Sequence, residues 1–513
     1  MILAAAKSPA PLVVICGYLA LLLGFAMLSK RMLRGSSSDY FVASRSIGPF
    51  LLLMSVFGTT MTAFALVGST GKAFDRGIGV YGLMASASGI IHSAVFFLVG
   101  IKLWAIGKRY NYVTQIQYFR GRFGSNLLGY LLFPVLVGLV IPYLLIGILG
   151  AGAVVRGVTM GMFPETFAGG AVPTWLTGMV ICAVVLAYIL AGGVRAAALA
   201  NACQTIVFMI VGLLAFVLVA NSLGGLEAAS LAVKENAPDR LAREGTIGHL
   251  QFLTYMFVPL SVGMFPHLFQ HWLTARSAKT FRMTVIAHPI FIMVVWVPCV
   301  LIGIWAAGIG VEAPRGNSNA VLAAMVGSQL KQPLVSGLLT AGILAAIMSS
   351  LDSQFVCLGT MFTHDIVIHA KGSDHFTDRQ KIMLGRGFIL AVVLLTYGLS
   401  LFEPPNIFDL AVWCFSGFAS LFPLVFAAVY WRRVTRAGAI ASVLVAALTW
   451  GILFYQGLIK PMMEGGRRGE DYLVFGMMPV TIMFAASAVT LVLVSLLTRP
   501  PEKELVDRFF RQP

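Results

Sequence analysis

Residues 340–365 read Thr340-Ala-Gly-Ile-Leu-Ala-Ala-Ile-Met-Ser-Ser-Leu-Asp-Ser-Gln-Phe-Val-Cys-Leu-Gly-Thr-Met-Phe-Thr-His-Asp365. The run is long and apolar enough for a membrane helix. Yet Gly342, Ala346, Ser349, Ser350 and Ser353 recur three and four apart, so they share one helical face. In lipid, a stripe of small residues is the ordinary means by which two helices approach closely. Hydroxyl oxygens beside a backbone carbonyl, dehydrated and close together, are also hard donors of the kind an alkali cation takes. Two serines cannot enclose an ion, so a cation on this face needs oxygens from a second, closely crossing helix. Asp352, on the flank of the stripe, favours the binding reading. A carboxylate inside a membrane helix costs about 2.5 to 3.5 kcal/mol on insertion scales and marks ion or proton pathways.

The rest of the chain is membrane protein. Of 513 residues, 58 % are hydrophobic and 11 % charged, against roughly a quarter charged in soluble domains. All six cysteines lie in apolar runs, which excludes an extramembrane disulfide framework or zinc cluster. The net charge of +16 resides in short connections between spans. That is the pattern of topology selection in a lipid bilayer, and no basic, aromatic-interleaved segment is present to bind nucleic acid.

Apolar runs of span length can be drawn thirteen times, near 11–29, 48–70, 78–107, 125–155, 174–192, 201–222, 249–271, 284–310, 333–364, 386–402, 406–431, 437–457 and 473–498. The first is expected to be a retained helix rather than a cleaved leader. With the N-terminus outside and the C-terminus cytoplasmic, about two thirds of Lys and Arg face the cytoplasm of a multi-pass cell-membrane protein.

Two of these runs are irregular. Ser55-Val-Phe-Gly-Thr-Thr-Met-Thr62 places a glycine and three threonines near mid-depth, where a regular helix gains least from them. Phe257-Val-Pro-Leu-Ser-Val-Gly-Met-Phe-Pro266 repeats the irregularity with Pro259, Gly263 and Pro266. Unwound backbone at that depth is tolerated where it is buried in protein or lines a cavity, and its freed carbonyls are cation ligands. The odd offset of five spans means the two enter from opposite sides, as inverted repeats require. The expected division is an extra helix and loop at 1–47, repeats of five helices at 48–222 and 223–431, and two further helices with a short tail at 432–513.

Elsewhere, Asp39 to Pro49 reads as a polar loop before a helix, and Gly192-Gly193 closes a span. His267 and His271 follow the second irregular stretch, where hydrogen-bonded structure is the plainer reading. Neither a phosphate-binding loop nor a nucleophile with base and orienting group is apparent, so neither an enzyme nor a cofactor is expected.

On Asp39-Tyr-Phe, Ser44-Arg-Ser-Ile-Gly-Pro49, Gly263-Met-Phe-Pro-His267 and Ala345-Ala-Ile-Met-Ser-Ser-Leu-Asp-Ser-Gln354, nearly the whole chain resembles the sodium:solute symporter family. The resemblance implies an all-α fold with a five-plus-five inverted repeat and discontinuous first and sixth core helices. It implies sodium as coupling ion, held by the carbonyls of Gly58, Met61 and Ala346 and the hydroxyls of Ser349 and Ser350. Beside it, Thr60, Thr62, Tyr143, the segment 257–266 with Met264, Trp413, Phe415 and Ser416 would face a small organic solute.

Two positions depart from the family pattern. Many relatives carry an aspartate near the inward sodium exit where this chain has Asn201, and proline carriers carry one where Thr60 stands. Asp352 is expected to take over the exit role from position 201. The resulting expectation is sodium-coupled uptake of a monocarboxylate, a pantothenate-like acid or an amino acid. The alternatives are proton coupling through Asp352 or His267, and a non-transporting solute sensor. Against the latter, the tail after Leu497 is too short for a folded signalling domain.

Overall fold

The computed structural model describes residues 8–510 apart from 33–35, 168, 313–317, 331, 403–406 and 465–470, with the backbone alone described at 25–32, 85 and 86. The described residues form helices and turns, and β-type pairing among them is limited to two isolated bridges. Among the described residues nine helices are long and apolar enough to cross a membrane, and two bent pairs raise the count to eleven.

Length and composition of the described residues thus leave the exact count of thirteen spans unconfirmed. The first helix, Ala10–Met32, is described with its side chains only as far as Gly24, and the apolar stretch Ala10–Gly24 is by itself shorter than a span. Runs 174–192 and 201–222 belong to one helix, Thr174–Ser222, interrupted by a single non-helical residue. That residue is Gly193, at φ 57° and ψ −144°. Its conformation favours glycine, and a Cβ there would collide with the carbonyl of Tyr40. One residue turns the chain, so no loop is needed.

The bent pairs fall where the sequence is irregular. Pro49–Thr60 and Phe64–Arg76 meet at 57°, and His249–Gly263 and Pro266–Thr274 at 50°. In the first broken helix Gly58 stays helical and the break comes at Met61 and Thr62. A continuous helix would send the N–H groups of Phe64 and Ala65 to the carbonyls of Thr60 and Met61. Instead Phe64 N donates to Thr62 Oγ1 at 3.0 Å and Ala65 N to the Thr62 carbonyl at 3.0 Å. Thr62 thus caps the second half and releases two carbonyls. The second broken helix tightens to a 3₁₀ coil over Tyr255–Gly263 around Pro259, and Pro266 starts the next half at its first turn.

The two broken helices run in opposite directions. Ile47, just before the first, pairs with Ala275, just after the second, through Ile47 N to Thr274 O and Arg276 N to Ile47 O, each 3.0 Å. At the far end Asp471 joins them: Lys72 Nζ of the first and Gln251 Nε2 of the second both lie 2.6 Å from its carboxylate. Lys72 is buried and also faces Asp409 at 3.6 Å. This antiparallel relation is what inverted repeats produce.

Asp39 to Pro49 is more than a polar loop. Ser37–Val42 is a short helix with Tyr40 and Phe41 fully buried, and Asp39 accepts from Arg195 Nη2 at 2.7 Å. At the other terminus helix Lys503–Phe510 packs on helix Gln115–Phe123. Phe509 stacks near Tyr110 and Tyr118, and Arg122 lies 5.1 Å from the Phe510 ring.

Candidate functional site

Helix Pro333–Met361 carries the hydroxyl stripe through the centre of the protein, with Ala346, Ser349, Asp352 and Ser353 all buried. It is crossed by the first broken helix, as the incomplete shell of the stripe requires. Ser349 Oγ lies 2.7 Å from the Gly58 carbonyl across the contact and 2.7 Å from the Ala346 carbonyl on its own helix. Three of the five expected cation-binding groups thus meet in one place. Glycine at 58 is required by a third helix, since a Cβ there would collide with the Thr205 hydroxyl of helix Thr174–Ser222 but would only touch Ser349. Met61 supplies a carbonyl at the break itself, whereas Ser350 Oγ donates to Ile347 O at 3.0 Å within its own helix. The donor set is entirely hard oxygen, which suits an alkali cation.

A polar network adjoins this point. With its amide oriented to suit its neighbours, Asn201 donates to the Ser349 carbonyl at 3.0 Å and to the Asp352 carboxylate oxygens at 2.9 and 3.0 Å. Tyr188 OH donates to Asp352 Oδ2 at 3.2 Å. Ser353 Oγ lies 3.2 Å from Asp352 Oδ1 and 2.9 Å from His271 Nε2. The two residues expected on the exit path are in direct contact. Tyr188 drew no attention in the sequence, although a tyrosine amid an apolar span signals a hydroxyl in need of a buried partner.

The expected solute-facing residues divide. Tyr143 and Phe415 meet edge to face, with ring centroids 5.0 Å apart, and Phe265 lies 5.4 and 5.5 Å from them. Phe64, just past the first break, closes the wall at 5.2 Å from Phe415. Thr60 Oγ1 donates to the Phe57 carbonyl and Ser416 Oγ to the Val412 carbonyl, each within its own helix. Met264 is buried at the second break, its sulfur accepting from Gln115 Nε2 at 3.3 Å. Trp413 is not in this group. Its ring packs on Phe454 and Tyr472, and its carbonyl accepts from Trp450. Two residues on a helix are about 200° apart, so Trp413 and Phe415 take opposite faces and Trp413 serves the contact with the C-terminal helices.

The profile of the sodium:solute symporter family matches residues 40–446, most of the chain. The chain belongs to the sodium:solute symporter family. Among similar proteins, this symporter is 25 % identical over 499 residues to the sodium/proline symporter of Haemophilus influenzae, covering 92 % of each chain. It is 25 % identical over 485 residues to the high-affinity proline transporter PutP of Bacillus subtilis, covering 92 % of this chain and 95 % of the relative. A solved sodium-coupled sialic acid symporter superposes with a TM-score of 0.74 at 16 % identity, over 96 % of this symporter and 99 % of that chain. The nucleobase-cation symporter Mhp1, bound to bromovinylhydantoin, superposes at 0.55 with 12 % identity, over 92 % and 97 %. These likenesses share the helical fold, and the symporter is a multi-pass membrane protein that couples sodium to movement of a small solute.

Proposed function

We propose that the coupling sodium is held by the carbonyls of Gly58, Met61 and Ala346 and the hydroxyls of Ser349 and Ser350. The observation that carries this reading is the position of Ser349 Oγ, 2.7 Å from carbonyls of two different helices. A cation there replaces the hydroxyl proton as the positive partner of both carbonyls and draws the first broken helix onto helix Pro333–Met361. Sodium binding thereby shapes the adjoining solute chamber, walled by Tyr143, Phe265, Phe415 and Phe64 beside Thr60, Thr62, Met264 and Ser416. The repeats at 48–222 and 223–431 form the moving core, flanked by 1–47 and 432–513.

Uptake is inward, by alternating access, in a chain whose N-terminus lies outside and C-terminus in the cytoplasm. Sodium leaves past Asp352, which supplies the negative charge that Asn201 lacks. The proline named for the relatives enters here as a solute to be tested. Reconstituted protein assayed for uptake of a panel of monocarboxylates, pantothenate and proline, with and without a sodium gradient at fixed pH, decides the matter. Uptake driven equally well by a proton gradient without sodium would defeat the sodium reading.

A further inference from the structure

The aromatic wall gathered from four helices leaves the polar end of the solute in need of a partner. His267 answers that need. The imidazole is 1 % exposed, and neither ring nitrogen has a hydrogen-bond partner. A neutral imidazole offers one N–H and one lone pair, and leaving both unmet in a buried place costs free energy that native interiors ordinarily avoid. The ring stacks on Phe265 at 5.1 Å with the planes 22° apart, and meets Tyr143 at 5.6 Å. Phe265 is the residue immediately before helix Pro266–Thr274, so the imidazole folds back over the start of that helix.

The helix start is itself unsatisfied. No side chain caps it, and Pro266 brings no N–H, so the amides of His267 and Leu268 head the helix. Such an end favours negative charge. An orphaned imidazole, amides at a helix start and a cluster of apolar aromatic rings thus converge at the second break. No side-chain carboxylate stands among Thr60, Tyr143, Phe265, His267 and Phe415, and the nearby Asp352 is engaged by Asn201, Tyr188 and Ser353. A buried ammonium would lack a counter-charge there, which is costly.

We infer that His267 and the uncapped start of helix Pro266–Thr274 bind the carboxylate of the solute, and that the solute is a monocarboxylate with an apolar body and no charged amine. The inference rests on the sodium-coupled reading above and narrows its substrate class. His267 is then a specificity-determining residue that touches substrate.

The test uses full-length protein, purified and reconstituted, at saturating sodium. Butyrate, cyclopentanecarboxylate and benzoate are each compared with their primary amides, and with α-aminobutyrate and proline, by thermal shift and by competition for uptake. At least one acid should bind about tenfold or more tightly than its amide, the scale of one charge-assisted contact. That ratio should collapse in His267→Phe and survive in part in His267→Gln, which keeps an N–H donor. Sodium alone should still raise the melting temperature of both variants, which reports that they fold. Amides binding as well as acids, an acid preference unchanged in His267→Phe, no binding by any acid, or proline or α-aminobutyrate preferred over the acids would each overturn the inference. Loss of the sodium-induced shift in the parent protein would instead defeat the sodium reading, and the ratio of acid to amide, measured without sodium, would still judge His267.

Discussion

The amide of Asn201 grips the carboxylate of Asp352 by both oxygens, at 2.9 and 3.0 Å, while its oxygen lies 2.8 Å from Ser353 Oγ. The pair joins helix Thr174–Ser222 to helix Pro333–Met361 directly beneath the carbonyl of Ser349. An amide facing a carboxylate can be turned round: exchanging the two residues keeps one charge and the same contact. Asp352→Asn should bind external sodium nearly normally but transport slowly. Adding Asn201→Asp should restore part of the rate. Proteoliposome uptake, with the sodium-induced thermal shift as binding control, reads both. A single variant running at the parental rate, or a double variant no faster than the single, would end the exit-path idea.

Ser349→Ala should raise the sodium concentration for half-maximal uptake by ten- to a hundredfold, since one charge-assisted oxygen contact contributes about 1.5 to 3 kcal/mol. Ser350→Ala should act in the same direction and less strongly, because Ser350 Oγ is already engaged with Ile347 O in its own helix. Unchanged half-saturation in both would return the stripe to helix packing.

Phe415 and Trp413 should separate recognition from stability. Phe415→Ala removes a wall of the chamber and should change which solutes compete. Trp413→Ala should leave the order of competitors intact while lowering thermal stability, as loss of a buried tryptophan costs about 3 kcal/mol or more. The reverse pattern would place the chamber on the other face of that helix.

The far-side junction predicts an acid dependence. Burial pushes the Asp471 carboxyl up, but Lys72 and then Arg76 pull it down further, leaving it below the usual carboxylate range. A depressed folded value means the stabilisation is complete above about pH 4, the ordinary carboxylate value, and fades as pH falls through the lower folded value. Asp471→Asn should therefore melt earlier than the parent at neutral pH, by about 1.5 to 3 kcal/mol for one lost charged contact. The two proteins should converge in strong acid. A gap that persists unchanged below the folded value would assign the effect to packing.

Much of this was readable because the bilayer imposes so few solutions. Long apolar runs declare helices, and Pro259, Gly263 and Pro266 declare a break, since nothing else is gained from them in lipid. The serine stripe showed that a partner helix had to supply oxygens, and the crossing at Gly58 supplies one. What stayed hidden depends on distant partners. Nothing near Asp39 announces Arg195, so the buried plug around Tyr40 looked like a loop. Trp413 is hidden for a different reason: it shares a helix with Phe415, but positions two apart lie about 200° apart around the axis, which turns Trp413 toward Phe454 and Tyr472. The first break falls inside the irregular stretch 55–62, and its place at its end, at Met61 and Thr62, follows from Gly58 being used for close packing while Thr62 does the capping.

The C-terminal helix has a practical consequence. Phe509 and Phe510 are wedged against Gln115–Phe123, and Gln115 at the head of that helix bonds the sulfur of Met264 at the second break. A purification tag or fluorescent reporter attached behind Phe510 would therefore pull on a lever whose other arm rests against Met264 at the second break. The same attachment turns the tail into a fiducial: a dye there, paired with one on the Arg436–Phe454 helix, would follow the transport cycle from outside the proposed site.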